Sequence, residues 1–270
     1  MQANAAHGVV CDPHYQVPRA RSALPLDAGR VIDVQSMETP RFKLYHYPGT
    51  RSARVKWMLH EVLDDDFEVE IVPVYEGKQY EPEYLEKNPN HCVPTLEVIM
   101  PDGRVVHMLE SGAMVTFLAD AFPEKGLAPP PHPFSLERAE YLQMLYFGAS
   151  WMDMMLWQIR VHEHLLRDDE KDPRTIRRYR DKLVNEVEPQ LRKRLERHPF
   201  ICGDAFTAAD CVIGHNVAWA RGYGLCQDEV FRGYLSRVSK RPAFVKAFAD
   251  ARSFQPKPPD DTELLERFTG

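Results

Sequence analysis

Two hydroxyls, Thr50 and Ser52, stand immediately ahead of a stretch in which Val55, Met58, Leu59, Val62 and Leu63 recur at helical spacing. A helix N-terminus carries partial positive charge, so a hydroxyl there can help stabilise an anion. Ser52 also has the residue type of an N-cap, which would spend its oxygen on the helix itself. A second pair, Glu110-Ser111, precedes another apolar helical pattern and marks a second anion-receptive helix start. Between them lies "NPNHCVPTLEV", residues 88–98, in which Pro94 opens an apolar run. Proline gives no N–H to a sheet ladder, and an X-Pro bond is the peptide bond most cheaply held cis. The spacing therefore predicts that Val93 presents its backbone to something other than a strand. His162-Glu163-His164 and Asp168-Asp169 have metal-binding residue types, but positions two apart do not share a helix face, so no metal site is expected.

The elements that must position these groups follow from pattern. Residues 42–45 read as a strand, the Val55 segment as a helix and residues 67–72 as a strand, which makes a βαβ unit. Asp64, Asp65 and Asp66 oppose the helix dipole and close that helix. Residues 95–100 and 104–108 form a hairpin around Pro101-Asp102-Gly103, and a helix follows Glu110-Ser111. Pro129, Pro130, Pro131 and Pro133 then mark a boundary. Beyond it the periodicity is helical throughout. Ser135 is the expected cap of the first long helix, and Pro189 is expected to kink or split the second. Thr207 and Asp210 form a variant capping box.

The predicted organisation is an extension without apolar period (residues 1–41, expected to be disordered), an α/β domain (42–124), a Pro-rich linker (125–134), a helical domain (135–252) and a tail (253–270). Met37, just before the first patterned segment, is an alternative start of translation. With 44% hydrophobic residues and a net charge of −6, the chain has ordinary globular composition and no overall basic footprint for nucleic acid. The nine Lys/Arg against four Asp/Glu in residues 174–198 read as a solvated helix face. No apolar run is long enough to span a bilayer. Five cysteines without a CxxC pair fit a reducing cytoplasm better than a secreted disulfide framework.

Three motifs in this order resemble the cytosolic glutathione transferases: "NPNHCVPTL" from Asn88, "LES" from Leu109 and "FTAADCVIG" from Phe206. The resemblance covers roughly residues 42–250 and implies a thioredoxin-like first domain followed by an all-helical second domain. "LYHYPGTRSAR", residues 44–54, is most similar to the delta and theta branches, with Thr50 where they carry a serine. Gly112 stands where an arginine or other polar residue often follows the acid–serine pair.

The resemblance implies glutathione as co-substrate, no metal, a small apolar electrophile as partner and a homodimer. It implies that Val93, held by cis-Pro94, pairs with the cysteinyl part of glutathione, that Glu110 and Ser111 hold the γ-glutamyl end, and that Gln79, His91 and Cys92 line the same site. A free thiol ionises near ~8.5, and lowering this by about two units makes most of it thiolate at neutral pH. Thr50 is the first candidate for this task, Ser52 the second and Tyr45 the third. Tyr45, Met144, Gly148, Trp151 and Met152 are the expected electrophile pocket, because Met and aromatic side chains suit adaptable apolar sites. Conjugation is the leading reaction, with dehalogenation as one case of it. The alternative is a non-catalytic regulatory or assembly protein on the same fold.

Overall fold

Strand β1 (Arg41–His46) forms the centre of the first half because its alternate residues Phe42 and Leu44 are fully apolar and buried. The computed structural model describes residues 39–255. The expected extension up to residue 38, the start at Met37 and most of the tail lie outside the described residues; Arg41, placed in that extension, is the first residue of β1.

Helix α1 (Ser52–Leu63) follows β1, then edge strand β2 (Glu68–Ile71), the short helix α2 (Pro82–Leu85), the hairpin β3 (Thr95–Ile99) and β4 (Val105–Met108), and helix α3 (Ser111–Ala121). The four strands lie in the order β2-β1-β3-β4, with β1 and β2 parallel and the other pairs antiparallel. This is the expected thioredoxin-like sheet. Phe42, Leu44, Leu96 and Val98 pack on one face against Val55 and Leu59 of α1 and Met114 and Leu118 of α3. On the other face Tyr45 joins a small cluster with Val72, Tyr84 and Val93.

The helical half begins at Ser135, whose side chain accepts from the Arg138 N–H at 3.1 Å, as expected of a cap. Helix α4 (Leu136–Tyr146) runs through a π turn at Phe147–Met152 into α5 (Asp153–Arg160) and a second π turn at Val161–Leu165. Helix α6 (Pro173–Lys182) passes through a π turn at Leu183–Val187 into α7 (Glu188–Leu195). The split falls just before Pro189, whose missing N–H cannot close the regular ladder. Helices α8 (Ala208–Gly222), α9 (Glu229–Val238) and α10 (Pro242–Ala247) complete the described chain.

Asp210 is fully buried, and its carboxylate accepts from the Thr207 and Ile201 N–H groups, each at 2.9 Å, and from the Tyr234 hydroxyl at 2.9 Å. The expected capping box is therefore present and also ties α8 to α9.

Helix α1 is buried on both sides. Trp57, on its second face, meets the rings of Phe206, Phe244 and Phe248 with centroids 5.5, 4.9 and 6.1 Å away. Arg241 makes a two-pronged pair with Glu61 at 2.6 and 2.7 Å, and Lys246 of α10 pairs with Asp64 and Asp65. The acidic run that ends α1 thus also fastens the helical half to it.

Candidate functional site

A cavity of about 450 Å³ opens where the loop after β1, the loop before β3 and the helical half meet. Gly49, Thr50, Arg51, Gln79, His91 and Val93 line it from the first half. Trp157, Arg160, His164, Trp219, Tyr223 and Phe254 face them from the second.

The Val93–Pro94 bond is cis, as the sequence predicts, and so is His132–Pro133 in the linker. Strand β3 begins only at Thr95, opposite Tyr45, so the Val93 backbone lies beyond the ladder. Asn88, buried at the start of the motif, braces this edge. Its Nδ2 donates to the Cys92 carbonyl at 2.8 Å and to Thr95 Oγ1 at 3.0 Å, and the Tyr84 hydroxyl donates to the same carbonyl at 2.8 Å. His91 has φ +43° and stacks on Tyr80 at 4.9 Å. Cys92 also lines the cavity, and its packed surroundings push its thiol up from the ordinary range, so it is a poor thiolate source. Gln79 is buried at the wall, and neither end of its amide has a hydrogen-bond partner. A buried amide in that state fits a ligand with peptide groups, which satisfy both ends.

Glu110 occupies the N-cap position of α3 with φ +68°, and its carboxylate makes no capping bond. Ser111 opens the helix and is buried. Neither lines the cavity itself. Gly112, where a larger residue was the familiar pattern, has a packing reason. A Cβ there would come within 2.9 Å of the Ala149 side chain, so glycine lets α3 approach the first π turn.

Thr50 meets the cavity and Ser52 does not. The expectation that Ser52 caps α1 is corrected: Arg51 holds the N-cap position without a side-chain cap, and Ser52 is already in the helix and fully buried. Its hydroxyl turns back to the preceding loop, 3.1 Å from the Tyr47 N–H, which donates to it, and 2.6 Å from His46 Nδ1. Thr50 Oγ1 lies 2.8 Å from Ser52 Oγ and from the Tyr47 carbonyl.

The expected electrophile pocket lies elsewhere in the fold. Tyr45 is buried under α2, 3.3 Å from Glu97, and burial together with that carboxylate pushes its phenol up to about 12. Met144 and Met152 belong to the interhelical core. At Gly148 a Cβ would stand 2.8 Å from Ile213 Cδ1, so this glycine serves the contact with α8. Trp151 faces out, under the Lys182 ammonium. None of these five lines the cavity.

Beneath the cavity floor is a buried charge cluster that local patterns did not reveal. Arg54 Nη2 donates to Asp153 Oδ2 at 2.5 Å and to Asn216 Oδ1 at 2.9 Å, and stands 3.1 Å from His215 Nδ1. Arg51 Nε donates to Asp153 Oδ1 at 2.6 Å, and its guanidinium lies 4.7 Å from the Trp157 ring. Burial raises the Asp153 carboxyl, but the charges of Arg54 and Arg51 outweigh it and hold the group below its ordinary value.

His215 is driven down to about 3, first by burial and then by the Arg54 charge. Its folded value lies below the ordinary ~6.5, so the unfolded chain takes up the proton first as pH falls. The stability this residue contributes is present above pH ~6.5 and is lost progressively from there toward pH ~3, at up to ~1.4 kcal/mol per pH unit. His215→Gln should flatten the fall in unfolding free energy between pH ~6.5 and ~4.5, measured by urea titration. An unchanged slope would contradict the neutral, buried assignment.

Comparisons with known proteins agree with this architecture. A family profile described as "Glutathione S-transferase, N-terminal domain" matches residues 44–126, and one described as "Glutathione S-transferase, C-terminal domain" matches residues 173–246. The disulfide-bond oxidoreductase YfcG of Escherichia coli is 28% identical over 218 residues, 77% of this chain and 95% of that protein. Glutathione S-transferase D7 of Drosophila melanogaster is 29% identical over 178 residues, 64% of this chain and 72% of its own. A glutathione transferase from Burkholderia graminis, solved with two glutathione molecules per subunit, is 25% identical with a TM-score of 0.68, covering 80% of this chain and 90% of that one. The chain belongs to the glutathione S-transferase family. Among the described residues no helix is long and apolar enough to cross a membrane.

Proposed function

We propose that the chain is a glutathione transferase in which the Thr50 hydroxyl receives the glutathione thiol and the helical half holds an aromatic electrophile opposite it. One observation carries the reading: Thr50 is the hydroxyl that stands both at the N-terminal end of α1 and in the cavity wall, facing Trp157, Trp219 and Tyr223. In this reading the Val93 backbone and the Gln79 amide take the peptide groups of glutathione, Glu110 and Ser111 take its γ-glutamyl end, and His91 and Cys92 flank it. The thiolate attacks an electrophilic carbon; an S–C bond forms and the leaving group departs with its bonding pair. Ring walls favour a planar substrate. Arg160, whose Nη2 donates to the Tyr75 hydroxyl at 2.8 Å and whose guanidinium lies 5.0 Å from the Phe254 ring, suits an acidic substituent on it. The homodimer and the cytoplasmic setting implied by the resemblance are carried as proposals with it.

A second reading has support from the relative of known disulfide chemistry, which matches nearly end to end. Disulfide exchange here would use the glutathione thiolate as attacking group, since the Thr50–Ser52 loop holds no cysteine.

Calorimetric titration with glutathione tests the shared part. Initial rates with 4-chloro-3-nitrobenzoate, its amide and 2-hydroxyethyl disulfide then separate the reactions. Thioether formation, with KM lower for the benzoate than for the amide, is the expected result. Arg160→Met should raise KM for the benzoate about tenfold, equivalent to ~1.4 kcal/mol, and leave that for the amide within about twofold. Disulfide turnover without thioether would select the second reading. Glutathione binding without either reaction would select a non-catalytic role.

A further inference from the structure

Thr50 does not stand alone at the cavity wall. Behind it runs an unbroken file of polar groups leading into the protein. Thr50 Oγ1 is 2.8 Å from Ser52 Oγ, Ser52 Oγ is 2.6 Å from His46 Nδ1, and His46 Nε2 is 3.1 Å from Asp250 Oδ2. Ser52 and His46 are fully buried. We propose that His46 is the proton acceptor for the glutathione thiol, reached through the hydroxyls of Thr50 and Ser52 and oriented by Asp250. The proposal rests on the reading that the thiol binds at Thr50.

The polarity of the file follows from its ends. The Asp250 carboxylate only accepts, so His46 Nε2 carries the proton and Nδ1 presents a bare lone pair. Ser52 has one proton and three neighbours able to take it: His46 Nδ1 at 2.6 Å, Thr50 Oγ1 at 2.8 Å and the Tyr47 carbonyl at 3.0 Å. The nearest is the imidazole. With that proton committed, Ser52 Oγ accepts from the Tyr47 N–H at 3.1 Å and from the Thr50 hydroxyl. Thr50 Oγ1 then has a lone pair for a thiol S–H arriving from the cavity.

Ionisation moves one proton along each link. The thiol S–H bond breaks and leaves its electron pair on sulfur. Its proton goes to Thr50 Oγ1, the Thr50 proton to Ser52 Oγ, and the Ser52 proton to His46 Nδ1. The products are a thiolate and an imidazolium, with no net loss of atoms or charge. Every O–H in the file has reversed, so Thr50 now donates to the thiolate it has just created. When a halide or similar group leaves, the imidazolium releases its proton to solvent; when the reaction is an addition, the proton returns along the file.

The charged groups facing the imidazole are Asp250 and Lys56. Lys56 Nζ lies 2.6 Å from the same Asp250 oxygen and opposes a second positive charge, while Asp250 favours it. Burial keeps the resting imidazole neutral, as a proton acceptor must be, and holds it below its ordinary value. A purely mechanical role, tying the loop after β1 to α1, needs only the bonds between Ser52 and Tyr47. It gives no reason for a histidine to bridge Ser52 to a carboxylate 204 positions away.

The test uses the full chain labelled with ¹⁵N-histidine, with His46 assigned through His46→Asn. Adding glutathione at neutral pH should convert His46 from the neutral Nε2–H form to the imidazolium as thiolate ultraviolet absorbance appears. In Ser52→Ala glutathione should still bind, His46 should stay neutral, and the apparent pKa of the bound thiol should rise by one unit or more. Asp250→Asn preserves the shape of the file and should raise the bound-thiol pKa by about one unit, because a charge that favours the imidazolium is removed. A thiolate that forms while His46 stays neutral, or a thiol pKa unmoved in both variants, would overturn the proposal. Failure of the parent to bind glutathione in the calorimeter would overturn the reading of the cavity and the relay with it.

Discussion

Thr50→Ala should slow thioether formation at pH ~7 by between roughly threefold and roughly 25-fold at saturating glutathione. The upper figure is the change in thiolate fraction when a bound thiol returns from two units below the free value to the free value of ~8.5. Each thiolate of higher pKa is more nucleophilic, which returns up to roughly eightfold at a Brønsted coefficient of 0.4–0.5 and sets the lower figure. The rate deficit should therefore vanish as pH rises past the new ionisation. Thr50→Ser keeps the hydroxyl and should keep most of the rate. Glutathione affinity should change little in either variant, because the proposed contacts at Val93, Gln79, Glu110 and Ser111 are untouched. The pH–rate profile decides the matter. A profile identical in parent and Thr50→Ala would remove this hydroxyl from the chemistry.

Asp153→Ala should lower stability by about 3–5 kcal/mol, because it leaves the Arg54 guanidinium buried without its counter-charge. For a chain of this size that corresponds to a drop of roughly 6–20 °C in Tm. Arg54 already has two nitrogens, Nε and Nη1, without a partner, so little remains to compensate it. Replacing both members, as Arg54→Met with Asp153→Leu, should cost less than the single change, since no charge is then stranded. Thermal unfolding followed by circular dichroism measures all three proteins. A loss below about 1 kcal/mol for Asp153→Ala would show that water reaches Arg54 and that the pair contributes as a surface ion pair does.

The order of elements in the first half was legible because each has a local cause. The apolar alternation of residues 42–45, the helical spacing from Val55 and the Pro101-Asp102-Gly103 turn act within a few residues of themselves. The Thr207–Asp210 box and the Ser135 cap are local too, and both are present. The role given to Ser52 failed for an instructive reason. A serine at a helix start usually caps, but here the loop before it offers a buried histidine and a free backbone N–H, and those bonds win. The far wall of the cavity was misplaced for a geometric reason. Two π turns interrupt the helical run from Leu136 to Leu165, and each shifts the register of everything after it. A single helical period cannot then say that Trp151 faces out while Trp157 faces the cavity. Arg54 with Asp153, and His46 with Asp250, were invisible because their partners lie 99 and 204 positions apart. Phe254, assigned to the tail, sits against the Gly49 backbone, where φ +67° and the absence of a Cβ make room for its ring.

The most direct measurement is a pH titration of the thiolate ultraviolet absorbance of glutathione bound to the parent protein. A thiol activated at the N-terminus of α1 by Thr50 should ionise roughly two units below the free value of ~8.5. In Thr50→Ala the same titration should return most of the way to that value while glutathione stays bound. Bound glutathione that ionises at the free-thiol value in the parent would contradict the account.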